Sequence, residues 1–161
     1  MHYIIDGYNV INLSDKFSAS TLEGRRQKFI EFIQLDRPHN SLKNLVAVVF
    51  DYKSKNPYES RGYDKSYIGN IEIIFSGGVL SADDIIAGIV NESPNPYEIT
   101  VVTNDKGLRR RTSSVGAKHE TVEAFLTKGF KRKNAKIAKE YFDSEEGEFI
   151  NEEFKKLWLK K

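Results

Sequence analysis

Aspartates stand where chemistry would want them. Asp6 follows the apolar run Tyr3-Ile4-Ile5, Asp51 follows Leu45–Phe50, and Asp105 follows Ile99–Val102 by way of Thr103-Asn104. Asp83 and Asp84 come just after Ser81, in what reads as the first turn of a helix. If the apolar runs are parallel strands of one sheet, their ends share an edge, and such sheets bind ligands there, where strand order reverses. Carboxylates packed together resist joint ionisation unless a positive charge compensates, and the chain puts no basic residue adjacent to each of them. An all-oxygen donor set suits a hard divalent cation, Mg²⁺ or Mn²⁺, which keeps several waters and needs few protein ligands. Each acid alone has a simpler explanation. Asp83 and Asp84 would complement a helix dipole, and Asp51 and Asp105 suit turns after strands. Their joint placement on one edge is what favours a metal site. Asp6 is the hardest to explain singly, because Asp6-Gly7-Tyr8-Asn9 opens directly from the first strand. Asn9 would either cap a following turn or hold a carboxylate or a substrate phosphate.

The elements that must position these residues alternate between strand-like and helix-like runs, the mark of a parallel α/β sheet. Strands are expected at 3–5, 45–50, 71–75 and 99–102, with a fifth near His119–Val122. After Asp6 a loop is expected, and then Ser20-Thr21-Leu22-Glu23 fits a capping box. The helix it opens has Leu22, Phe29, Ile30 and Ile33 on one face, and Pro38 closes it. Residues 52–70 are polar and turn-rich and read as an irregular crossing segment. Ser81 caps a helix reaching about Val90, and a short basic helix passes through Arg109-Arg110-Arg111. Residues 128–139 are basic and suit a helix, and Ile150, Phe154, Leu157 and Trp158 form one helical stripe expected to dock on the body.

Composition sets limits on the alternatives. The 161 residues are 39% hydrophobic, 30% charged and 12% aromatic, which describes one globular domain and excludes a disordered chain. With no cysteine, a disulfide scaffold, a thiolate zinc site and a cysteine nucleophile fall together. No apolar run nears the roughly 18 residues a membrane span needs, and no signal peptide is visible, so a cytoplasmic location is expected. No nucleophile elbow supports a serine triad, and Gly77-Gly78 lacks the Lys-Ser/Thr of a phosphate-binding loop. A net charge of +2 hides an asymmetry: residues 106–139 hold 11 basic and two acidic side chains, while residues 1–105 are net −4. Such a block is either the footprint of a polyanion partner or a solvated helix face.

Asp6-Gly7-Tyr8-Asn9, Val48-Val49-Phe50-Asp51, Ile74-Phe75-Ser76, Ser81-Ala82-Asp83-Asp84 and Val101-Val102-Thr103-Asn104-Asp105, in this order and spacing, resemble the NYN domain of the YacP-like family of PIN-like ribonucleases. The resemblance covers about residues 2–130. It implies a PIN-like three-layer α/β/α fold with a central parallel sheet of order 3-2-1-4-5. It also implies a nuclease domain over 1–130, with a C-terminal helical extension over 131–161 packed on it. The implied activity is metal-dependent hydrolysis of RNA phosphodiester bonds, most simply of single strands, which a larger assembly could present. Asp6, Asp83, Asp84 and Asp105 match the family's acidic site with Asn9 beside it, and Asp51 matches a family aspartate of less definite role. Of the adjacent pair Asp83 is favoured, since a short helix aims only one of two neighbours into a crevice. Asn9 and Thr103 would orient water or phosphate. Arg109, Arg110, Arg111, Lys128, Lys131, Arg132 and Lys133 would follow the RNA backbone, with Asn104, at a position where serine is commoner, beside the site.

Two rivals remain. A non-catalytic RNA-binding domain would share the basic block but would be expected to have lost a site aspartate, and none is missing. A structure-specific DNA nuclease would share the site but usually adds helical arches for which the chain leaves little room. Tyr8, Tyr52, Tyr58, Tyr63 and Tyr67 would offer rings to stacked bases, against the simpler reading that they pack.

Overall fold

The computed structural model describes residues 1–41, 43–51, 63–77 and 79–142, with backbone alone over 138–142. Leu42, Tyr52, Tyr58, Gly78 and the stripe from Ile150 to Trp158 lie outside the described residues. Among the described residues, six strands form one sheet: β1 (His2–Asp6), β2 (Leu45–Phe50), β3 (Asp64–Ile68), β4 (Ile71–Phe75), β5 (Ile99–Val102) and β6 (Lys118–Glu120). Their order is β3-β4-β2-β1-β5-β6. The pairs β4·β2, β2·β1, β1·β5 and β5·β6 are parallel and reproduce the expected 3-2-1-4-5 order. β3 is an addition, running antiparallel to β4 on the outer edge. It replaces the irregular segment expected there. All five of its residues are exposed, so it shows none of the apolar alternation by which a strand is read. Gly69, at φ 61°, makes the tight turn into β4.

Among the described residues, five α-helices cover the sheet: α1 (Gly7–Leu13), α2 (Leu22–Asp36), α3 (Ala82–Glu92), α4 (Lys106–Ser113) and α5 (Val122–Phe142). Strand side chains alternate between faces, and the core divides accordingly. Tyr3, Ile5, Val48 and Phe50 meet Val10, Ile11, Phe29, Ile33 and Phe125 of α1, α2 and α5. Ile4, Ala47, Val49 and Val101 meet Ile85, Ile86 and Leu108 of α3 and α4. The result is three layers, α/β/α. Phe29, Phe50 and Phe125 are wholly buried, and emptying any one of these positions would cost about 3–5 kcal/mol.

Two local starts differ from expectation. Residues 7–13, expected as loop, are α1, whose N-cap is Asp6 itself. The next helix is capped by Thr21 rather than Ser20, the hydroxyl accepting the Gly24 N–H at 3.0 Å. Its far end closes at Arg37, in the left-handed region at φ 46°, just before Pro38. α5 runs unbroken through residue 130, where the resemblance implies that the nuclease domain passes into its C-terminal extension. Among the described residues no helix is long and apolar enough to cross a membrane.

Candidate active site

β1 lies between β2 and β5, and the chain crosses the sheet on opposite faces to reach them. The strand order therefore reverses beside the end of β1, and the crevice opens there. Asp6 is the last residue of β1 and Asp105 follows β5. Each caps the helix it precedes: Asp6 Oδ1 accepts the Asn9 N–H at 3.2 Å, and Asp105 Oδ1 accepts the Leu108 N–H at 2.7 Å. Thr103, fully buried, joins the two. Its hydroxyl donates to Asp6 Oδ2 at 3.3 Å and accepts the Asp105 N–H at 3.0 Å. Asp83 stands in the first turn of α3, close enough for its charge to act on Asp6.

The electrostatics follow from this crowding. Burial pushes the Asp6 carboxyl up to about 6, the Asn9 N–H opposes the rise, and the charges of Asp83 and Asp105 add to it. Asp83 is also raised, by burial first and then by Asp105, with Arg111 pulling the other way. Asp84 behaves oppositely. It closes a capping box with Ser81 and accepts a hydrogen bond from Arg111 Nη2 at 3.0 Å, and these partners hold its carboxyl below the usual range. Asp51 is tied inward: its Oδ1 accepts from Ser76 Oγ at 2.9 Å and from the Ala82 N–H at 3.3 Å. It thereby joins the ends of β2 and β4 to the start of α3.

Asn9 and Asn104 hold the walls. Asn9 Oδ1 accepts the Asn104 N–H at 2.9 Å. The Asn104 side chain donates to Glu123 Oε1 at 2.8 Å and accepts the Val122 N–H at 3.0 Å. Between these walls an open cleft of about 560 Å³ is lined by Asp6, Tyr8, Asn9, Asn12, Leu13, Asn104 and Asp105. Tyr8, one of the candidate stacking rings, does line the cleft, whereas Asn12 and Leu13 escape a sequence reading because they belong to the short helix read as loop.

The oxygen donors of Asp6, Asp83 and Asp105 suit a hard divalent cation, and the upward push on Asp6 and Asp83 comes first from burial and then from the neighbouring carboxylates. Among the described residues, no three acidic or histidine side chains stand close enough to enclose an ion as they are placed. A magnesium-type ion, which binds largely through retained waters, is compatible with that spacing.

The basic block divides. Arg109 and Arg110 lie on α4, the helix that Asp105 caps, and Arg111 reaches Asp84. Lys128 pairs with Glu120 at 2.6 Å. Arg132 is about 15 Å along α5 from its start, where its guanidinium donates to the carbonyls of Arg37 and Asn40 at 3.0 and 2.9 Å. That turn precedes β2, at the opposite edge of the sheet from the carboxylates, so Arg132 with its neighbours Lys131 and Lys133 stands away from the cleft. Tyr67 lies on β3 and donates to Glu72 Oε1 at 2.9 Å, while Tyr8 packs edge-on against Phe50.

A three-layer sheet of this order, with acids gathered at its switch point, is the PIN-like nuclease fold. Its likeness extends to the crystal structure of Rae1 (YacP) from Bacillus subtilis, at 22% identity over 87% of this chain and 83% of that one, with a TM-score of 0.63. A single-substitution mutant of the same protein aligns at 19% identity over 87% and 80%, also with a TM-score of 0.63. The sequence matches the YacP-like NYN domain over residues 3–161, and the chain belongs to that family of PIN-like nucleases. No curated protein matches the chain at a significant level.

Proposed function

We propose that the protein is a metal-dependent endoribonuclease whose reacting centre is formed by Asp6, Asp83 and Asp105. The observation that carries this reading is the placement of Asp6 and Asp105, joined through the one Thr103 hydroxyl, with Asp83 near enough to act on Asp6, at the switch point of a nuclease fold. A Mg²⁺ or Mn²⁺ ion held by Asp6 and Asp105, with Asp83 directly or through water, would lower the pKa of a bound water and offset charge on the scissile phosphate. At neutral pH the Asp6 carboxyl, with its pKa at about 6, is largely ionised and ready to accept. Thr103 is a positioning residue, since one hydroxyl orients both Asp6 and Asp105. Asn9 and Asn104 likewise act through the walls they tie together. Asp84 serves better as the anchor of α3 and of Arg111 than as a ligand, and Asp51 better as a brace. Arg109 and Arg110 would hold backbone phosphates, contacts that give affinity without sequence choice.

Cleavage of 5′-labelled single-stranded RNA and of matched DNA, with Mn²⁺, Mg²⁺ or EDTA, tests the reading against Asp6→Asn. RNA-selective cutting that is lost with EDTA and in the variant is the expected result. Cutting that survives Asp6→Asn would remove the site assignment. Binding without cutting would favour an RNA-binding domain, and preferential cutting of DNA a DNA nuclease.

A further inference from the structure

α2 starts at the carboxylate edge of the sheet and ends in the turn before β2, so its first turns stand beside the cleft. There Arg26 is half-buried, its guanidinium 5.1 Å from the Phe75 ring centre and 5.9 Å from that of Phe50. Those rings end β4 and β2. Its Nη1 donates to the Tyr8 hydroxyl at 3.1 Å, and Tyr8 lines the cleft with Asp6 and Asp105. Nearby cations on this face are otherwise engaged: Arg25 donates to the Ile11 carbonyl, Lys28 to the Ser18 carbonyl, and Lys16 sits over Phe130. Among the described residues Arg26 has no carboxylate partner.

A guanidinium has five N–H donors, and the Tyr8 hydroxyl occupies one. Drawing this charge partly out of water onto two rings is costly, and cation–π attraction returns only about 0.5–2 kcal/mol. The same arrangement holds a planar fork ready for a bidentate anion. We propose that Arg26 binds a backbone phosphate of the RNA on the α1–α2 wall of the cleft, across the carboxylates from Arg109 and Arg110. This rests on the RNA reading above. The strand is then gripped on both sides of the bond to be cut, on the two faces of the sheet.

Arg26→Gln removes the charge while keeping a side chain that can donate to Tyr8. Binding of a fluorescein-labelled single-stranded RNA is followed by anisotropy in EDTA over a series of KCl concentrations. Each lost phosphate contact makes the plot of log affinity against log salt shallower by about 0.7–0.9. That change is expected for Arg26→Gln. Lys43→Gln, a matched loss of charge in the turn before β2 at the far edge of the sheet, is expected to keep the wild-type slope. A wild-type slope in Arg26→Gln, whatever its thermal midpoint, would make Arg26 a cap for the two rings and overturn the proposal. An equal change in Lys43→Gln would also overturn it, as an effect of net charge. Should Arg26→Gln not fold, Arg26→Met keeps apolar contact with the rings and takes its place. If the wild type binds no RNA in a salt-dependent way, the RNA reading itself fails and takes this one with it.

Discussion

Asp6 caps a helix and also faces two other carboxylates, and the two duties pull its proton affinity in opposite directions. The cap favours the charged form, while burial and the neighbours disfavour it, and burial wins. A carboxyl raised in the folded state binds its proton more tightly there than in the unfolded chain. Its contribution to stability is therefore fully present below about 3.8 and is lost as pH rises through about 6. Asp6→Asn keeps the cap oxygen and removes that penalty. The variant is expected to be inactive yet more stable than wild type at pH 8, by about 1–3 kcal/mol, because a tenfold tighter hold on the proton is worth about 1.4 kcal/mol. The gain should shrink towards pH 4, and thermal melts across this range check it. Mn²⁺ should reverse the order, raising the wild-type midpoint and leaving that of Asp6→Asn nearly unmoved. An unchanged wild-type midpoint would mean that the carboxylates hold no ion.

The elements explain why these residues can be so crowded. Gly7 must be glycine: a Cβ there would lie 2.3 Å from a Phe50 ring carbon. Gly7→Ala is expected to cost at least about 1–3 kcal/mol, the usual range for overpacking, and to impair cutting by displacing Asp6 and Tyr8 on either side. A melt and a cleavage assay on one preparation separate the two effects. Asp51 shows the opposite logic, an acid at the right edge whose oxygen is spent on Ser76 and Ala82. Asp51→Ala should lose about 1–3 kcal/mol through the lost bonds to Ser76 and the Ala82 N–H while retaining a Mn²⁺-dependent rise in midpoint; loss of that rise would restore Asp51 as a ligand. Here the reach of sequence reading is plain. Buried parallel strands are continuous apolar runs, so β1, β2, β4 and β5, and the acids at or just past the ends of β1, β2 and β5, could be read directly. α1 could not, because its signal is one aspartate that also looked catalytic. β3 could not, because an exposed edge strand has no apolar face. Of the partners that set Asp84 apart from Asp83, Ser81 is a capping-box neighbour three residues away, but Arg111 meets Asp84 only in three dimensions.

Across the whole molecule the same limit applies to charge. The block from 106 to 139 is contiguous in sequence, but α4 begins at the cleft while α5 carries its later residues to the far edge of the sheet. Arg132 is engaged by two backbone carbonyls, so its role there is to pin α5 to the turn between α2 and β2. Screening makes the distance matter, because charges more than about 8–10 Å from a bound strand act weakly at physiological salt. A double substitution at Arg109 and Arg110 to glutamine should weaken RNA binding about tenfold or more at low salt, with the loss shrinking as salt rises. The matched pair at Lys131 and Lys133 should change it less than about twofold. Titrations of both proteins with one labelled RNA decide the matter. Equal losses would mean that the strand continues over α5 to the opposite edge, and that the block acts as one surface after all.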